Sequence, residues 1–170
     1  MKSSGPKSSG GQKPESQLSH TELKDLLSTL DGSGPQFDLR NVLFTKQLPF
    51  GLDMSRWQTA VCTRRAGKTY GIAAKLLDVA RRKPGCVALY VTKSKINAKR
   101  IVWDTLKLLN DTFKLGGVAL EGELCLSMSN ASKIYLSGED HESEIEKFRG
   151  LPIGVALIDG RRRWWRASGR

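Results

Sequence analysis

The amino-acid sequence predicts an α/β fold, a mostly parallel sheet flanked by helices and incomplete at its C-terminal end. Three patterns carry this expectation. Residues 68–82 place Ile72, Leu76, Leu77 and Val79 at helical spacing, and Pro84-Gly85 stops the helix. Residues 86–92, CVALYVT, form a continuous apolar run of the kind that a buried strand presents. Residues 95–110 return to helical spacing with Ile96, Ile101, Val102, Leu106, Leu108 and Leu109. Strands alternating with helices of this length argue for a parallel sheet covered by its crossover helices.

Taken in order, residues 1–17 are rich in Ser, Gly, Pro and Lys. Such a segment buries too little apolar surface to offset its ordering entropy, and disorder is expected there. Residues 18–36 are expected to be a short helix and a linker. Ser19 and Glu22 have the spacing of a capping box, and Leu18 and Leu23 that of a hydrophobic staple. Leu23, Leu26, Leu27 and Leu30 make one apolar face of a helix over 20–30, and Asp31-Gly32-Ser33-Gly34-Pro35 ends it. The α/β pattern occupies residues 37–159. Within it, residues 59–63 read as a short strand, residues 124–128 and 133–136 as a hairpin around Ser129-Asn130-Ala131-Ser132, and residues 155–158 as one more apolar strand ending at Asp159. Arg81, Arg82 and Lys83 sit at the end of the first long helix, where they complement its dipole.

With 170 residues and 39% hydrophobic content, the chain is long enough for one ordinary domain with a core. No apolar run approaches the roughly 20 residues that cross a bilayer, and the N-terminus lacks a signal-peptide core. A soluble intracellular protein, without a membrane partner, is expected. Cys62, Cys86 and Cys125 are far apart in apolar stretches and read as buried small hydrophobes, while His20 and His141 lack ligand-like neighbours, which argues against zinc. The net charge of +11 is concentrated. Residues 51–110 hold thirteen Lys or Arg against three acids, residues 111–159 hold four against nine, and the last eleven residues hold five Arg and no acid. A basic middle suits a polyanion such as a nucleotide or DNA.

The sharpest motif is Cys62-Thr63-Arg64-Arg65-Ala66-Gly67-Lys68-Thr69, set between an expected strand and an expected helix. A phosphate-binding loop needs that setting, because backbone N–H groups and the helix N-terminus must converge on one phosphate cluster. Gly67 lets the backbone approach, Lys68 is expected to reach the β- and γ-phosphates of ATP, and Thr69 to hold Mg²⁺ through its hydroxyl. Cys62 stands where the usual motif has its first Gly. The second half of such a site is an acid at a strand tip, and Asp159 after Val155-Ala156-Leu157-Ile158 supplies it, as a ligand to Mg²⁺ partly through water. The fold class is therefore narrowed to a P-loop NTPase.

These residues, in their order and spacing, resemble the N-terminal ATPase domain of phage terminase large subunits over residues 37–159. The resemblance lies in Asp53-x-x-Arg56-Trp57 before the phosphate loop, in Leu89-Tyr90-Val91-Thr92 followed by Ala98-Lys99-Arg100-Ile101-Val102-Trp103, in the Ser129-Asn130-Ala131-Ser132 turn leading to Gly138, where the family usually reads N-G-S, and in Phe148-Arg149-Gly150 before the acidic strand. It implies an ATP-hydrolysing motor that drives double-stranded DNA into a capsid. A homo-oligomeric ring, a portal protein and a small terminase subunit come with that implication, as does the cytoplasm of a host cell. It also implies that Arg64 or Arg65 contacts the γ-phosphate, and that an upstream glutamine, Gln47 or Gln58, reads adenine.

The sequence departs from the family after Asp159. Gly160 stands where a catalytic Glu is expected, no nuclease domain follows, and residues 160–170 read GRRRWWRASGR. That Arg/Trp tail reads as the product of a shifted frame or a truncated gene, with a nucleic-acid-binding peptide as the alternative. ATP binding with impaired hydrolysis is expected. The competing readings are another P-loop ATPase, such as a helicase-like enzyme, and a non-enzymatic basic nucleic-acid-binding protein.

Overall fold

A computed structural model describes residues 36–140 and 146–159. The expected disordered tail, the helix over 20–30 and the Arg/Trp tail lie outside the described residues. Two short helices open the domain. α1, Leu39–Val42, is capped by Asp38, whose Oδ1 accepts from the Arg40 backbone N–H at 2.9 Å. A 3₁₀ turn, Thr45–Gln47, then leads into α2, Leu48–Leu52, with Pro49 in its first turn, where a missing N–H costs nothing. Both fell below what periodicity can reveal in the sequence.

α3, Lys68–Arg82, is the expected first long helix. Ala73, Leu76, Leu77 and Ala80 recur at i, i+3, i+4 and i+7, and each is 0% exposed, so one stripe of the helix faces the core. Arg82 pairs with Asp78 at 2.8 Å, and Arg81 donates to the Phe37 carbonyl at 3.0 Å, tying the start of the domain to the end of α3. The last carbonyls of the helix are not left bare. Asn130 Nδ2 donates to Ala80 O at 2.9 Å and to Arg81 O at 3.2 Å, so the hairpin turn read from Ser129-Asn130-Ala131-Ser132 caps α3.

Among the described residues the sheet has five strands in the order β2-β3-β4-β1-β5. β1 is Val87–Thr92, β2 is Val118–Leu120, β3 is Cys125–Ser127, β4 is Lys133–Gly138 and β5 is Ile153–Ile158. β1 runs parallel to both β4 and β5, with Tyr90 opposite Leu136 and Leu157. β3 pairs antiparallel with β4, and β2 antiparallel with β3. The sheet is thus mixed rather than mostly parallel, because the hairpin adds two antiparallel strands at one side. Between β1 and β2 run α4, Lys95–Ala98, a π-helical stretch, Lys99–Trp103, and α5, Asp104–Thr112. Lys107 and Lys99 clamp the β2–β3 turn to this helical run through Glu121, at 2.8 and 3.3 Å.

The expected strand over residues 59–63 is not formed. Those residues are unpaired, and Val61 is 93% exposed. The physical reason is that strand propensity expresses packing against cross-strand neighbours, and among the described residues no strand pairs with this segment. For the same reason Cys62 is exposed, against the expectation of burial, while Cys86 and Cys125 are buried and burial raises both thiols.

The two faces of the sheet differ. Ala88, Tyr90, Ile134 and Leu136 point into the core that Leu76, Leu77, Trp103 and Leu106 complete. The opposite face carries Leu89, Val91 and Tyr135, and Phe148 packs edge-on against Tyr135 with ring centroids 5.5 Å apart. Among the described residues β5 is an edge strand, and its Ile153 and Ile158 are 45% and 56% exposed.

Candidate nucleotide-binding site

The motif over residues 62–69 forms a loop that enters α3, so the helix half of the expected setting is present and the strand half, over residues 59–63, is not. Gly67 precedes the helix with φ of +74°, a left-handed conformation that favours glycine. A Cβ there would also collide with Gln47 Nε2, so two separate constraints keep this position bare. Arg65, at φ of +62°, takes the same region without the glycine advantage. No side chain caps the start of α3 and no acid sits in its first turn. The first backbone N–H groups therefore have no side-chain acceptor, and the loop before them carries Arg64 and Arg65. Arg64 and Arg65 are exposed, and Lys68 and Thr69 are half-buried. The Lys68 side chain curls back over the loop, and its Nζ donates to Thr63 O at 2.7 Å.

The 3₁₀ turn holds this loop from behind. Gln47 Nε2 donates to Gly67 O at 2.9 Å and to Ala66 O at 3.3 Å, while its Oε1 accepts from the Phe44 backbone N–H at 3.3 Å. Of the two glutamines singled out in the sequence, Gln47 lies at the loop. Gln58 serves Lys75, whose Nζ donates to Gln58 Oε1 at 2.6 Å, to Phe50 O at 2.7 Å and to Asp53 O at 3.1 Å. Burial pushes the Lys75 amine down, and the charge of Asp53 opposes that shift. Sequence reading missed this lysine, because a cation inside an amphipathic helix gives no sign of which carbonyls it will meet.

Asp159 follows β5. Its backbone N–H donates to Val91 O at 2.9 Å, and its Oδ2 accepts from the Tyr90 hydroxyl at 2.9 Å. Burial, and then the charge of Asp159, push the Tyr90 phenol far above its usual range, so it stays protonated and remains a donor. Topology decides which end of the molecule Asp159 occupies. α3 is followed by a short turn and then β1, so it runs opposite to β1 and to its parallel neighbour β5. Val79, late in α3, lies beside Gly154, early in β5, where an added Cβ would stand 3.2 Å from Val79 Cγ1. A helix of 15 residues rises about 22 Å, and a strand of six about 20 Å, so the start of α3 and the end of β5 lie at the same end of the sheet. No hydrogen bond or ion pair joins Lys68 or Thr69 to Asp159.

The remaining chemistry of the described residues is sparse. No group of three or more His, Cys, Asp or Glu comes together among them. No helix among them is long and apolar enough to cross a membrane. Neither a family model, nor a curated protein, nor a solved structure matches this chain. The functional reading therefore rests on the residues themselves.

Proposed function

We propose that the chain binds Mg·ATP at residues 62–69 and is part of a P-loop ATPase of the terminase large-subunit kind, with weak or absent turnover. One observation carries the reading: a left-handed Gly67 opens the uncapped end of α3, with Lys68 folded over the loop, at the same end of the sheet as Asp159, which follows β5. In that arrangement the loop amides and Lys68 take the phosphates, Lys68 exchanging Thr63 O for a phosphate oxygen. Arg64 or Arg65, both exposed on the loop, takes the γ-phosphate.

Thr69 and Asp159 offer the hard oxygen donors that suit Mg²⁺, and the Oδ1 of Asp159 has no partner among the described residues. Mg²⁺ bound there would offset phosphate charge. Hydrolysis is expected to be impaired because Gly160 offers no group to orient water, a loss of about 10² to 10⁴ in rate. Double-stranded DNA as the track, and a portal and small subunit as partners, follow from the resemblance. The basic stretch over residues 51–110 favours a polyanionic track.

The test is calorimetric binding of Mg·ATP to the full chain beside Lys68→Ala, with turnover recorded on the same samples. Binding by the parent that is lost in Lys68→Ala, with little turnover, is the expected result. Equal binding by both, or by neither, would overturn the reading. Salt-sensitive DNA binding that ignores ATP and survives Lys68→Ala would favour a non-enzymatic nucleic-acid-binding protein instead.

A further inference from the structure

We infer that Tyr90 is a positioning residue for Asp159, holding the carboxylate in the orientation from which it serves the metal of the nucleotide site. This deepens the phosphate-loop reading and rests on it. Tyr90 is 0% exposed, in the middle of β1, which lies between β4 and β5, on the face that packs against α3 in the core. On that face Ala88, Ile134 and Leu136 are hydrocarbon, and the buried Thr92, two residues on, is a polar neighbour of the phenol. Burying a hydroxyl in such a layer is costly unless it is bonded, and a leucine would fill hydrocarbon surroundings without that cost. Beside Thr92, the hydroxyl donates to one carboxylate, that of Asp159, 69 residues along the chain and 2.9 Å away.

The geometry then does two things to Asp159. The backbone is fixed by the bond from its N–H to Val91 O at 2.9 Å, which extends the β1–β5 pairing past the last residue of β5. The side chain is fixed by Tyr90 through Oδ2 alone, which leaves Oδ1 without a partner among the described residues. An acid at a strand end would otherwise rotate between solvent-facing rotamers. Tyr90 selects one by holding Oδ2, which leaves the other oxygen for a metal. Phosphate contacts do not involve Tyr90, so its removal affects the metal-dependent part of binding and spares the rest.

The experiment titrates Mg²⁺ against a fixed concentration of a fluorescent ATP analogue, using the full chain and its Tyr90→Phe, Asp159→Asn and doubly substituted variants. In Tyr90→Phe, which keeps the ring, the Mg²⁺ needed for half-maximal binding rises about tenfold, the usual worth of a hydrogen bond to a charged group. Binding without Mg²⁺ is unchanged. Asp159→Asn abolishes the Mg²⁺ response, and adding Tyr90→Phe to it has no further effect. A folded Tyr90→Phe with unaltered Mg²⁺ dependence overturns the proposal.

If Tyr90→Phe does not fold, a chain reduced to this one tyrosine by Tyr70→Phe and Tyr135→Phe, ¹³C-labelled at the phenol carbon, serves instead. Its resonance shifts when Mg²⁺ and the analogue are added together, and an unmoved resonance overturns the proposal. Loss of all nucleotide binding in the parent chain is a separate outcome. It brings down the phosphate-loop reading itself and is recognised because the substitutions play no part in it.

Discussion

Gly67→Ala probes the loop most sharply, because two independent costs meet at one atom. The backbone sits at φ of +74°, and holding a residue with a Cβ in that region costs about 1–2 kcal/mol. The new methyl would also overlap Gln47 Nε2, which is bonded to the carbonyls of Ala66 and Gly67. Moving that amide aside forfeits these bonds, and at about 0.5–1.5 kcal/mol each the stronger one dominates. Gly67→Ala should therefore lose about 2–4 kcal/mol in urea unfolding, seen as a lower midpoint with an unchanged slope. Gln47→Ala alone should lose about 1–2 kcal/mol. The double variant has no amide left to collide with, so its loss should fall short of the sum of the two by about 1–2 kcal/mol. Strict additivity would show that Gln47 does not brace the loop. A Gly67→Ala loss below about 0.5 kcal/mol would show that the left-handed turn is not formed in solution.

Other perturbations test the surrounding frame. Ala131, at φ of +65° in the turn that caps α3, occupies a conformation suited to glycine, so Ala131→Gly should stabilise the chain by up to about 1 kcal/mol in the same unfolding assay. Glu121 is held down to about 2, first by its hydrogen bond from Lys107. Its folded pKa lies below the unfolded one, so its contribution is present above about pH 4.5 and is lost as pH falls toward about 2. Glu121→Gln should flatten that part of the stability profile measured by thermal unfolding across acid pH, and an unchanged profile would discount the clamp.

The frame was legible wherever a pattern repeats along the chain. α3 shows its buried stripe at Ala73, Leu76, Leu77 and Ala80, and its end is marked by Arg81, Arg82 and Pro84-Gly85. β1 is a run of apolar residues with no break, and the β3–β4 turn is marked by Asn130 and Ser132, which bond each other and the carbonyl end of α3. The failures have a common cause. Residues 59–63 carry strand-forming side chains but lack a neighbour to pair with, and pairing is decided by the rest of the sheet. β2 has three residues, all exposed, and so no alternation to detect. α1 and α2 are too short for a helical period to show. Of the candidate site, the start of α3 at Lys68 and the place of Asp159 after β5 could be read from local patterns, while the strand expected before the loop is not formed. The site's supports could not be read, since Gln47 bracing Gly67 and Tyr90 bonding Asp159 are contacts made only when distant segments are folded together.

The most direct measurement of the central claim is a ¹⁵N chemical-shift map of the full chain with and without Mg·ATP. The account predicts the largest amide shifts over residues 64–70, with a second group at Asp159 and Tyr90. Shifts confined to other basic surfaces, such as Lys93, Lys99 and Arg100, with the loop amides unmoved, would contradict it.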